Sequence, residues 1–104
     1  MNWKIIYTEE ALKDINKLDN SNRKIVFKAI EKVSYNPLPN TEGGYGKPLS
    51  KELKNCMKIK LKSSGIRIVY KLQRVDEEFI IIIVGMREDS DVYKEALKRI
   101  SITK

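Results

Sequence analysis

Residues 57–62 read Met-Lys-Ile-Lys-Leu-Lys, residues 63–65 read Ser-Ser-Gly, and residues 66–72 read Ile-Arg-Ile-Val-Tyr-Lys-Leu. The first run alternates strictly: Met57, Ile59 and Leu61 point one way and Lys58, Lys60 and Lys62 the other. That period of two belongs to a half-buried strand. Ser63-Ser64-Gly65 supplies a tight turn, so 66–72 returns as a second strand, with Ile66, Ile68, Tyr70 and Leu72 on one face. Pairing Lys62 with Gly65 or with Arg67 places Arg67 among the lysines. A one-residue slip would drive its guanidinium into the core.

Working outward, 75–78 is a polar turn and 79–84 is a continuous apolar run, the mark of a central, well-covered strand. Ser90 or Asp91 caps a last helix with Val92, Ala96, Leu97 and Ile100 inward. On the other side, 36–50 holds all three prolines and three of the five glycines, and reads as a long loop. Before it stand a short strand over 3–7 and two amphipathic helices. Thr8 caps the first, which buries Ala11, Leu12, Ile15 and Leu18. Ser21 caps the second, which buries Ile25, Val26, Ala29, Ile30 and Val33. The expected architecture is one α+β domain over 1–104. Its small antiparallel sheet is packed on one face by an N-terminal helical hairpin and a C-terminal helix. The other face, carrying the lysines, is expected to lie open.

Charge is concentrated. Of the net +7, the segment 47–74 contributes nine Lys or Arg against the single acid Glu52, leaving the remainder at −1. A face of one sign fits a polyanion such as nucleic acid, although a solvated surface would look the same from charge alone. There is no histidine, which removes His-type zinc sites, Ser-His-Asp triads and imidazole-based nuclease chemistry. Acid–base work would fall to Lys, Arg, Tyr, Asp or Glu. One cysteine, Cys56, allows no intramolecular disulfide and reads as a small buried residue. No run spans a bilayer and the N-terminus lacks a signal-peptide core, so a cytoplasmic protein without membrane contact is expected. Arg87, after Gly85, stands where a strand end can reach across the sheet. Tyr93 is either a core aromatic or a ring that stacks on a base.

The segment 55–72 resembles the central hairpin of RelE toxins, and 83–100 resembles their C-terminal part. Glu10-Ala11-Leu12-Lys13-Asp14 matches more weakly. The wider RelE/ParE superfamily shares Gly-x-Arg-x-x-Tyr, here Gly65, Arg67 and Tyr70, and the late Gly-x-Arg, here Gly85 and Arg87. Lys58, Lys60 and Tyr93 point to the RNA-cleaving RelE branch. Met57 and Ile66 depart from it, since RelE-type sequences can carry an aromatic there. The loop Gly43-Gly44-Tyr45-Gly46 has no clear counterpart.

The resemblance implies a RelE/microbial-RNase-like fold and the toxin half of a type II toxin–antitoxin pair. Such a toxin is a metal-independent endoribonuclease, an mRNA interferase, that cuts mRNA in the ribosomal A site by 2′-hydroxyl attack on the adjacent phosphate. By the match, Lys58 and Lys60 would activate the 2′-hydroxyl or stabilise charge on it, Arg67 would hold the phosphate in its pentacoordinate transition state, Arg87 would stabilise or protonate the leaving oxygen and Tyr93 would stack on or orient the target nucleotide. Lys47, Lys51, Lys54, Lys62 and Lys71 would bind RNA. The implied partners are a cognate antitoxin, the ribosome through small-subunit rRNA, and mRNA; no cofactor or metal is implied. Three alternatives stay open: a ribosome-independent RNase, a ParE-like toxin that poisons gyrase without cutting RNA, and a corepressor or inactive binding module acting only with its antitoxin.

Overall fold

The structure, a computed structural model, describes residues 3–49, 56–86 and 92–102. Five strands and three helices follow in the order β1 (Lys4–Tyr7), α1 (Glu9–Asn16), α2 (Asn20–Ser34), β2 (Lys47–Pro48), β3 (Cys56–Leu61), β4 (Ile66–Gln73), β5 (Glu78–Met86) and α3 (Val92–Ile102). The α+β class is the expected one. None of these helices is long and apolar enough to cross a membrane.

Local chemistry explains the helix starts. The Thr8 hydroxyl oxygen accepts from the Ala11 amide at 3.1 Å, and its O–H donates to the Ile81 carbonyl at 3.1 Å, so one side chain caps α1 and ties it to β5. The cap of α2 is Asp19, two residues before the expected Ser21; its carboxylate accepts from the Asn22 amide at 2.8 Å. A charged acceptor at a helix N-terminus satisfies an orphan N–H and complements the macrodipole as well. The buried stripe of α2 is narrower than its sequence pattern, with Val26, Ile30 and Val33 inside and Ile25 exposed.

The sheet runs β1-β5-β4-β3-β2. The three long strands pair antiparallel, as their short turns require. β1 is parallel to β5, which makes the sheet mixed, because a helical hairpin and not a turn separates β1 from the rest of the sheet. β2 is a two-residue strand inside the expected loop, paired to β3.

Both faces of the sheet are covered. The helical hairpin lies on one face, where Ala11, Ile15, Val26 and Ile30 meet Ile66, Ile68, Tyr70, Phe79 and Ile81. α3 lies on the opposite face, where Val92 and Ala96 close over Cys56, Val69, Ile82 and Ile83. Thus α3 shares the face of the lysines instead of joining the hairpin. Two features of β5 demand this: its apolar run does not alternate, and Val69 pairs with Ile83 while Tyr70 pairs with Ile81, so Ile82 bulges out. Leaving those side chains wet would forfeit roughly 1.5–3 kcal/mol each.

Two polar ties complete the fold. The buried Tyr70 hydroxyl donates to the Pro37 carbonyl at 2.7 Å and pins the 36–46 loop to the sheet. Burial pushes the pKa of that phenol far above its ordinary value. Beyond the end of β1, the edge of β5 is completed by side chains. The Val84 amide donates to Asp14 Oδ2 at 3.1 Å, and Arg99 donates to the Ile82 carbonyl at 3.0 Å. Arg99 also donates to both Asp14 oxygens, at 2.7 and 3.2 Å, so helices from opposite faces are joined at the sheet edge.

Candidate functional site

The β3–β4 register sets Lys60 directly opposite Arg67, the parity in which Lys62 faces Gly65. The β2–β3 register sets Lys47 opposite Lys58. Residues directly opposite share a face, so Lys47, Lys58, Lys60 and Arg67 form two adjacent rows of cations. The next row along the same face holds Lys71, paired with Cys56 and Ile80. Lys62 sits exposed in the turn. Arg87, Lys51 and Lys54 lie outside the described residues.

α3 covers the apolar part of this face and leaves the cationic part open. Its first turn places the half-buried Tyr93 ring beside the row, with Lys58 Nζ 5.6 Å from the ring centroid. Tyr93 also packs against the α3-side core, which is the core-aromatic role weighed for it. The seat for that first turn is Gly85, opposite Arg67 in the register. A Cβ on Gly85 would come 2.7 Å from Val92 Cγ2, so a side chain there would push α3 outward. The sequence pattern marks Gly85 only as a glycine ending an apolar strand; its part in seating α3 emerges from the packing.

The electrostatics of the row are those of crowded like charges. Lys58 lowers the pKa of the Lys60 ammonium most, followed by some loss of hydration beside its neighbours and by Arg67, a hydrogen-bond contact with Lys58, and Lys62, although Lys60 itself is exposed. Each neighbour penalises the protonated form, so Lys60 is readier to lose its proton than an isolated lysine. At the far row, burial raises the Cys56 thiol pKa against the pull of Lys71, which suits an unreactive buried cysteine. Such a face can bind a phosphodiester, neutralise charge that builds on it, and take up a proton. Among the described residues, no group of three or more His, Cys, Asp or Glu is placed to hold a metal ion.

Comparison with known proteins gives a consistent pattern. The family described as the ParE toxin of type II toxin-antitoxin system, parDE, matches residues 5–93. A putative RelE-like toxin protein of Escherichia coli is 37% identical over 102 residues, covering 95% of this chain and 98% of that protein. The mRNA interferase toxin RelE of Escherichia coli strain K12 is 38% identical over 96 residues, covering 90% and 93%. Among solved structures, an arginine double mutant of Escherichia coli RelE in the free state superposes with a TM-score of 0.79 at 35% identity. It covers 96% of this chain and 99% of that one. The toxin in the intact Escherichia coli RelBE toxin–antitoxin complex superposes with a TM-score of 0.64 at 31% identity, covering 81% and 95%.

Proposed function

The chain belongs to the RelE/ParE family of type II toxins, with RelE-named relatives, and from that premise we propose that it is an mRNA interferase acting on the ribosome. The observation that carries the reading is the placement of Lys58, Lys60 and Arg67 on one open sheet face beside Tyr93. A toxin that acted only by binding gyrase, as in the ParE-like reading, would have no use for a lysine held at lowered pKa.

In the proposed reaction the ribose 2′-oxygen bonds to the adjacent phosphorus and the bond to the 5′-oxygen breaks. A 2′,3′-cyclic phosphate and a 5′-hydroxyl remain. Lys60, whose proton is loosened by Lys58 and Arg67, takes the 2′-hydroxyl proton. Lys58 and Arg67 neutralise the pentacoordinate phosphorane, the guanidinium fork of Arg67 matching two of its oxygens. Arg87 stabilises the charge on the departing 5′-oxygen, which leaves as the 5′-hydroxyl by taking a proton from Arg87 or from water, and Tyr93 stacks on or orients the nucleotide being cut. The side chains supply the positive charge a divalent ion would otherwise bring, so the reaction needs no metal. Lys47, Lys62 and Lys71, with Lys51 and Lys54, bind flanking RNA.

A cluster of Lys and Arg shuttles protons poorly near neutral pH, so its rate depends on how well the substrate is positioned. That dependence favours an mRNA held in the A site over free RNA. A cognate antitoxin would cover the same basic face, and the setting of translation makes the cytoplasm the place of action. The test is to map cuts on one message with and without translating ribosomes. Cuts confined to A-site codons, with naked RNA left nearly intact, are expected. Equally efficient cutting of naked RNA would replace this reading by a ribosome-independent RNase.

A further inference from the structure

We infer that the bound strand turns around the β2 edge, from the lysine face to the α2 side, and meets a second contact there, where Tyr45 stacks on an unpaired base and Lys32 holds an adjoining phosphate. The inference rests on the RNA-cleaving reading and extends it to flanking nucleotides. Tyr45 precedes Lys47 by two residues, and Lys47 is opposite Lys58 in the cation rows. The chain itself therefore links the proposed cleavage site to Tyr45.

Tyr45 is 53% exposed, although backbone hydrogen bonds hold the segment that carries it. The Tyr45 amide donates to the Asn36 carbonyl at 3.0 Å and the Gly46 amide to the Leu38 carbonyl at 3.1 Å. The Asn36 side-chain amide donates to the Gly43 carbonyl at 3.2 Å. Gly43 is left-handed at φ 84°, and a Cβ on Gly44 would overlap the Leu38 carbonyl, so both glycines are required for this path. A ring presented by a preorganised loop binds at little entropic cost.

Charge completes the case. Lys32 Nζ lies 5.5 Å from the Tyr45 ring centroid, and Lys28 is exposed one turn earlier on α2. The acid of the same loop, Glu42, is gripped by Arg74 at 2.8 and 2.9 Å. Tyr35, 57% exposed, precedes the carbonyl that holds Tyr45 and offers a second ring. Cations interleaved with open aromatic faces are the chemistry of single-stranded RNA binding.

The test measures anisotropy of 2′-O-methyl oligoribonucleotides, which lack the attacking hydroxyl, with four and with twelve nucleotides, on the whole chain at low salt. Tyr45→Ala is expected to weaken the longer oligonucleotide about tenfold and leave the shorter unchanged. Tyr45→Phe should restore affinity, and Lys32→Ala should flatten the salt dependence of the longer one. Unchanged affinity of Tyr45→Ala for the longer strand overturns the inference and leaves the cleavage reading standing. A wild-type chain that binds neither oligonucleotide also overturns the inference, whereas the cleavage reading stands or falls on the cuts mapped with translating ribosomes.

Discussion

Arg67→Ala is expected to lower mRNA cleavage by roughly 10²–10³-fold while the domain stays folded, the loss typical when one transition-state donor is removed. Arg67 lies half-buried on the open cationic face, opposite Lys60, and belongs to neither apolar cluster. Its removal therefore opens no core cavity, and melting temperature should move by only a few degrees. Arg67→Lys separates charge from shape. It keeps the cation but loses the bidentate fork, so it should fall between wild type and Arg67→Ala. Arg87→Ala should abolish growth inhibition in the same way. Primer extension on a translated message measures the rate, and thermal melting followed by circular dichroism reports the fold. Wild-type cleavage by a folded Arg67→Ala variant would remove the phosphate-holding role.

Asp14→Ala is expected to destabilise the domain by about 3 kcal/mol, the lower end of the cost of breaking a buried ion pair. The Asp14 and Arg99 side chains are 12% and 17% exposed, so their contact is shielded from solvent. The substitution takes the carboxylate from Arg99 and the acceptor from the Val84 amide at the edge of β5. It also unfastens α1 from α3, the helix that carries Tyr93. For a domain of this size the melting temperature should drop by ~10–20 °C. Asp14→Asn, which keeps an oxygen for Val84 but no charge, should lose less. A melting point within a few degrees of wild type for Asp14→Ala would show that the tie contributes little.

The central hairpin was legible because strand period, turn chemistry and charge all agree there. Only one register parity keeps Arg67 out of the core, and that parity is the one observed. The side taken by α3 was not legible. The apolar run 79–84 shows that both faces of its strand are covered, but not which helix covers which, and the Ile82 bulge arises only from pairing with β4. The parallel seat of β1 depends on contacts across more than seventy residues. β2 is too short to show a period. Consequently Lys47 was identifiable as a basic residue, but its position opposite Lys58 was not. Ser21 and Asp19 are both good caps, and local pattern alone does not choose between them.

The central claim is that crowded cations on one sheet face promote attack by the message's own 2′-hydroxyl. The most direct measurement uses a ribosome-bound message whose codon carries a single 2′-deoxy substitution at the attacking ribose, with the unsubstituted message as control. The control should yield 2′,3′-cyclic phosphate and 5′-hydroxyl ends, and the substituted message should resist cleavage at that position. Cutting of the substituted message, leaving a 5′-phosphate and a 3′-hydroxyl, would mean that water is the nucleophile and would contradict the mechanism.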